Sequence, residues 1–257
     1  MIAFAGVAPC GRLSGRPGHN WQYRLTLFSR LLALLLPITI ASPARSQVAL
    51  SLAVESDYRF RGYSLSSGRP TASVNLAYDS PSGLYLYGSV AGVHRNDGAD
   101  LLGYQANIGY AKRLTPTASV DAGVIHFQSR YPYFGSTQSS HYTEAYVAAH
   151  VREFTARVFY SPHYFRDGVS TAYGELDAAI QPSANWRLNA HVGLLAYLTT
   201  PVYFDRSTSY DWRLRASRQF GAVEVHAAVT GGGPGKDYYG GAAHDRTALT
   251  VGGSLNF

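Results

Sequence analysis

The sequence predicts an all-β protein: a single antiparallel up-and-down transmembrane β-barrel of about twelve strands, covering residues 47–257 and preceded by a signal peptide and leader at 1–46. Three observations predict it. After residue 46, apolar and polar residues alternate with period two, in runs separated by Gly, Pro, Ser and Asp. No run in that region approaches the ~20 apolar residues a spanning helix needs. The charged residues of the clear strands fall on the face opposite the Leu, Val, Ile and Trp residues.

The leader carries Arg12, Arg16, Arg24, Arg30 and Arg45 and no acid. A short apolar run, Leu31 to Ile40, follows Arg30, and small residues (Ala41, Ser42, Ala44, Ser46) follow the run. That is the order of a secretory signal peptide, with cleavage expected after Ser46. A helical anchor is the alternative, but the run is short for it. The basic segment is long for a signal peptide, so translation could begin downstream of Met1.

With five of the 22 basic residues in the leader and none of the 16 acids, the remainder carries a net charge of +1. The basic character of the whole chain is therefore no argument for nucleic-acid binding. The one cysteine, Cys10, is also in the leader. Beyond it there is no thiol for a disulfide, a metal or nucleophilic catalysis.

Strands are expected near 48–61, 70–79, 83–93, 101–112, 117–128, 140–151, 154–161, 170–181, 185–197, 207–218, 221–231 and 246–257. Most match the ~9–11 residues of a tilted spanning strand. Connections alternate short and long. The short ones include Arg152-Glu153 and Pro182–Ala184; the long ones include 62–69, 94–100, 129–139, 199–206 and 232–245. Short turns on one side and long loops on the other is the outer-membrane pattern. An even count puts both termini on the short-turn, periplasmic side.

The apolar stripes read Ala72, Val74, Leu76, Tyr78; Leu102, Tyr104, Ala106, Ile108, Tyr110; Trp186, Leu188, Ala190, Val192, Leu194; and Val223, Val225, Ala227, Val229. A soluble barrel of lipocalin type would turn these stripes inward. Two arguments favour outward. Arg or Lys at a bilayer midplane costs about 2–4 kcal/mol, and the stripes carry none. The opposite face also holds too many charges for a small dry core. Aromatics near strand ends are candidates for the interfacial girdle: Tyr58, Phe60, Tyr78, Tyr110, Trp186, Tyr210 and Trp212.

The final run, Thr247 to Phe257, alternates cleanly and ends on an aromatic residue. It resembles the closing strand of bacterial outer-membrane barrels, which implies that Phe257 is read by the barrel-assembly machinery. The segment Ser56-Asp-Tyr-Arg-Phe-Arg-Gly-Tyr-Ser64, with Gly83-Leu-Tyr-Leu-Tyr-Gly-Ser89 after it, resembles a family of TorF-like porins of largely unknown function. The resemblance implies an outer-membrane barrel of a Gram-negative bacterium and no particular substrate.

Residues expected to line the lumen are Glu55, Asp57, Arg59, Arg61, Glu144, Arg157, Glu175, Asp177, Arg187, His191, Asp211, Arg213, Arg215, Glu224 and His226. The first four are expected on the first strand, near the outer mouth. Tight turns would place Arg215 across from Glu224, Arg213 across from His226, and Glu175 across from His191. The charges are of mixed sign, so no ion preference follows. They serve either solute passage or bracing of the wall.

A narrow channel for small polar solutes is the expected function. The expected partners are outer-membrane lipid, the assembly machinery and small solutes; no cofactor or metal is expected. A non-conducting structural or adhesive barrel is an alternative. So, less favoured, is a lipid hydrolase. His126 and His141 fall on outward faces, but the Gly-x-Ser-x-Gly elbow is missing. The stretch Gly231-Gly-Gly-Pro-Gly-Lys-Asp237 departs from a phosphate loop because Asp follows Lys236. It reads as a flexible outer loop.

Overall fold

The computed structural model describes residues 47–95, 98–130, 140–199 and 207–257. Residues 1–46, where the leader and Cys10 are expected, and the Tyr131–Phe134 stretch lie outside the described residues. The strands are β1 Gln47–Glu55, β2 Arg59–Phe60, β3 Tyr63–Ser64, β4 Thr71–Asp79, β5 Leu84–Arg95, β6 Gly98–Thr115, β7 Ala118–Ser129, β8 Ser140–Val151, β9 Phe154–Ser161, β10 Thr171–Ser183, β11 Trp186–Tyr197, β12 Thr208–Phe220, β13 Val223–Gly233, β14 Asp237–Tyr239, β15 Ala242–His244 and β16 Ala248–Asn256. Twelve of them close one barrel in the order β1-β16-β13-β12-β11-β10-β9-β8-β7-β6-β5-β4. Every barrel pair is antiparallel, and β1 closes on β16. The pairs β2–β3 and β14–β15 are separate hairpins inserted in loops.

Closure removes both sheet edges, so each strand's backbone groups are satisfied by its neighbours. Turns at one end are tight. Val151 pairs Phe154 around Arg152-Glu153, and Phe220 pairs Val223 around Gly221-Ala222. Gly221 takes φ +61°, a left-handed conformation open to glycine at little cost. The other end carries the longer connections, including 56–70 and 234–247.

The two faces differ as the alternation requires. Leu214 is 59% exposed and Leu249 70%, while Glu144 and Tyr173 are each 1% exposed. Apolar side chains therefore cover the exterior, and charged or aromatic ones fill the interior. That is the reverse of a water-soluble barrel and suits a hydrocarbon surround.

The structure corrects five expectations. The first wall strand stops at Glu55, so Asp57, Arg59 and Arg61 are not wall residues. Between the third and fourth wall strands the strands run to Arg95 and resume at Gly98, which shortens the long loop expected there. A register shift at Ala91/Gly92 turns Leu102 inward, 3% exposed, while Leu101 faces out. A bulge of this kind inverts the phase of the residues beside it. The β12–β13 register also differs from expectation. Arg215 pairs Ala228 and Arg213 pairs Thr230, because the turn is Gly221-Ala222. Glu175 pairs Gly193, and His191 faces Asp177 instead.

Candidate functional site

After Glu55 the chain turns into the barrel. Phe60 pairs Tyr63 across the turn Arg61-Gly62, whose φ angles are +47° and +77°. Two successive left-handed residues define the tight turn that twists with a β-hairpin. Gly62 is required there, since a Cβ would lie 2.6 Å from Arg246 Nη2 and 2.9 Å from the Gly231 oxygen. Arg61 pays about 1–2 kcal/mol for its left-handed backbone, and its side chain supplies the compensation.

The Arg61 guanidinium donates from Nη1 and Nη2 to the two oxygens of Glu144, at 2.9 and 2.7 Å. It also sits 3.8 Å from the Tyr173 ring centre and 4.9 Å from that of Phe60. A bidentate charged pair inside an aromatic cage combines the strongest hydrogen-bond geometry with cation–π attraction. Counted around the barrel, β8 stands five strands from β1 one way and seven the other. The hairpin therefore crosses the lumen and fastens to the far wall.

Its base is fastened too. Arg59 donates to Asp57 at 2.8 Å, to Asp237 at 2.9 Å and to the Arg246 carbonyl at 2.7 Å. Arg246 donates back to the Arg61 carbonyl at 2.8 Å and stacks 3.6 Å over Tyr63. Burial lifts the Asp237 carboxyl above its ordinary value, against the pull of the Arg59 cation. Burial, with Tyr87 and Glu55 nearby, pushes the Tyr58 phenol up to about 12.

Around the hairpin the long-loop half of the lumen is packed with rings. Phe60 stacks on Phe127 at 5.6 Å, and Tyr142 lies 4.8 Å from Phe165. Leu65, Val93, Leu102 and Leu195 complete this cluster. Tyr58 and Phe60 are therefore not girdle residues: the hairpin carries both into this interior cluster.

Below the hairpin is a cavity of about 560 Å³. Asp57 to Gly62 roof it. Its walls include Glu55, Glu144, Arg157, Glu175, Asp177, His191, Asp211, Arg213, Arg215 and His226. Most of the charged groups are paired. Arg157 meets Glu175 at 2.6 Å, Arg215 meets Glu224 at 2.8 Å, and His226 meets Glu55 at 2.8 Å. His191 sits between Asp177 at 2.9 Å and Asp211 at 3.0 Å. Arg187 is the second residue of β11, exposed beside the short turn.

Possible ligand atoms of Glu175, Asp177 and His191 lie within 4.8 Å of one another. A cation there would displace Arg157 from Glu175 and break the imidazole's bonds to two aspartates.

On the exterior, Tyr110, Trp186 and Tyr210 are exposed near strand ends, with Tyr78 and Trp212 partly covered. His126 and His141 face outward with ring centres 6.0 Å apart, and His126 Nδ1 pairs with Thr143 Oγ1 at 2.9 Å. That hydroxyl belongs to a threonine, and the pair lacks the oriented Ser–His arrangement of a hydrolase.

Sequence reasoning missed Asp237 and Arg246, both buried and both holding the hairpin. It also missed the interior rings Tyr142, Tyr146 and Phe159, whereas the alternation of β10 puts Tyr173 on the inward face with Glu175 and Asp177, where it is found. The signal for Tyr142 and Tyr146 was present, since they alternate with Glu144 on one face of β8. Exterior Phe154, Tyr160 and Phe220 were likewise overlooked.

A closed twelve-strand antiparallel barrel with an apolar exterior, a charged interior and an in-folded loop has the architecture of a transmembrane β-barrel. The chain belongs to the family described as "Bacterial protein of unknown function (Gcw_chp)", whose model matches residues 39–249. Among solved structures it is similar to one described as KdgM porin, at 11% identity and a TM-score of 0.50. The match covers 81% of this chain and 99% of that one. It is similar also to the NanC porin, at 8% identity and a TM-score of 0.52, covering 81% and 98%. At these identities the likeness concerns the fold. No curated protein sequence matches the chain.

Proposed function

We propose that the protein is an outer-membrane channel of a Gram-negative bacterium for passive passage of small polar solutes, with its conduit closed by the Arg59–Ser64 hairpin. The observation that carries this reading is the polar cavity of about 560 Å³ enclosed by a wall whose outer face is apolar. The porin names of two barrels of the same fold support it. So does the porin family that the Ser56–Ser64 motif resembles.

In this reading the long-loop end faces the cell exterior, and both termini face the periplasm. Phe257 then serves as the assembly signal, and Tyr78, Tyr110, Trp186, Tyr210 and Trp212 sit at the membrane interfaces. The hairpin is a stopper at the outer mouth, so conduction requires its withdrawal.

Single-channel recording of the folded protein in planar bilayers tests the proposal. Brief openings from a closed baseline are expected, together with slow uptake of small sugars into proteoliposomes. The dry aromatic packing of the outer half favours a second reading, a barrel plugged permanently and used for structure or surface contact. Silence in bilayers from both the native protein and a variant with the hairpin fastening removed would select that second reading.

A further inference from the structure

We propose that the outer wall of the barrel binds an anionic glycerophospholipid, with the phosphate on Arg218 and an acyl chain in the groove beside it. The inference goes beyond the channel reading. It needs the apolar face to meet lipid and needs nothing of conduction. Arg218 is the third residue from the end of β12, in phase with the outward Leu214 and Ala216. It is an exposed cation on the lipid side of the wall, close to the short turn. Among the described residues its guanidinium meets two rings and no carboxylate, 5.5 Å from the centre of Trp186 and 4.8 Å from that of Phe220. Cation–π attraction holds the planar group by its faces. The N–H donors along its edge keep their capacity for an acceptor from outside the chain. That edge matches two oxygens of a phosphodiester.

The charge of the lipid follows from the surroundings of that arginine. The outward faces of β11, β12 and β13 carry no acid, and neither do the flanking turns Ala184-Asn185 and Gly221-Ala222. Arg187 is exposed at the same rim. A zwitterionic headgroup would bring an ammonium group with no carboxylate to meet it and with arginines at 187 and 218 to repel it. An anionic headgroup brings none, and a basic rim attracts it.

The acyl chain follows from a groove of about 480 Å³ on the same face. Ile180, Leu188, Ala216 and Ala227 are register partners in series from β10 to β13, and all line it. Trp186 pairs Arg218 one outward row nearer the short turn, so the groove begins about 7 Å along the strand from the arginine. Ala216 and Ala227 leave the wall hollow between Leu188, Leu214 and Val229. The groove continues to Leu249 on β16 and so crosses four strand spacings, roughly 19 Å at about 4.8 Å each. Half of a bilayer's hydrocarbon is about 15 Å thick, so the groove has the length of one acyl chain in one leaflet. The short turns face the periplasm in the channel reading, which places this lipid in the periplasmic leaflet.

Native mass spectrometry of the full chain folded in detergent tests this, with phosphatidylglycerol and phosphatidylethanolamine of identical acyl chains as probes. One phosphatidylglycerol per chain should be retained, with phosphatidylethanolamine about fivefold weaker. Arg218→Gln should bring phosphatidylglycerol down to the level of phosphatidylethanolamine, and Arg218→Lys should fall between, since an ammonium cannot form the fork. Ala216→Trp, which fills the groove and leaves the cation, should weaken phosphatidylglycerol as well. Equal retention of the two lipids by the native protein overturns the proposal whether or not the variants fold. So does native preference in a folded Arg218→Gln. A lipid-free dimer gives the groove to a second copy and also overturns it. A barrel that conducts without preferring either lipid loses this site and keeps the channel; one that prefers phosphatidylglycerol and never conducts loses the channel alone.

Discussion

Replacing Glu144 by Gln should open the barrel. The carboxylate is 1% exposed and receives both terminal nitrogens of Arg61. Removing one partner of a buried charged pair costs about 3–5 kcal/mol. Water can enter this lumen once the hairpin leaves, so the lower end applies. At about 1.4 kcal/mol per factor of ten, a loss near 3 kcal/mol shifts the hairpin between inserted and released by roughly a hundredfold. The Arg59 and Arg246 contacts remain, so the barrel itself should still fold.

Two assays read the shift. Open probability in planar bilayers should rise steeply in Glu144→Gln. Trypsin should also cut after Arg61 much faster, because the peptide bond is accessible only in the released hairpin. The double variant Arg61→Gln with Glu144→Gln should add little to either single change, as expected of two residues acting through one contact. A variant that folds, with open probability and cleavage rate equal to those of the native protein, would refute the latch.

Other perturbations have equally definite outcomes. Gly62→Ala puts a Cβ 2.6 Å from Arg246 Nη2 at φ +77°, and should free the hairpin to trypsin while leaving barrel melting unchanged; native-like protection would show that the turn tolerates a side chain. Leu214→Arg places a cation midway along β12 on the exterior and should lower unfolding stability in lipid by about 2–4 kcal/mol, measured by urea titration in vesicles; no loss would place that face away from hydrocarbon. Asp237→Asn bears on pH. Burial raises this carboxyl, so the folded chain keeps its proton to higher pH than the unfolded chain, and stability falls as pH rises through that interval. The Asn variant should flatten the slope just above the ordinary carboxylate range; an unchanged slope would assign it to another group.

The wall was legible because alternation is a long-range signal. Twelve runs gave twelve wall strands, and the stripes around Leu76, Val192 and Val229 face as their spacing requires. The same signal misled at Tyr58 to Arg61. There the alternation continues unbroken, but the backbone turns inward and makes a second hairpin. Period two reports a pleat and cannot distinguish a wall from a hairpin inside it. Leu102 was misplaced because a bulge shifts phase without leaving a compositional mark. Arg215 and Glu224 do meet, at 2.8 Å, although they are not register partners, because long side chains span what the backbone does not. Asp237 could not be found from pattern, since it lies where the alternation is interrupted, whereas Arg246 opens the expected last strand in phase with the inward Thr250 and its even position already pointed inward.

Everything rests on the outward apolar stripe facing lipid. Residues 47–257 contain no cysteine, so single cysteines can be introduced along β16 and carry nitroxide labels. In vesicles, labels at Leu249 and Val251 should show high collision rates with oxygen, which concentrates in hydrocarbon, and a label at Thr250 should show a low one. The opposite alternation, with Thr250 the most oxygen-accessible of the three, would contradict the account.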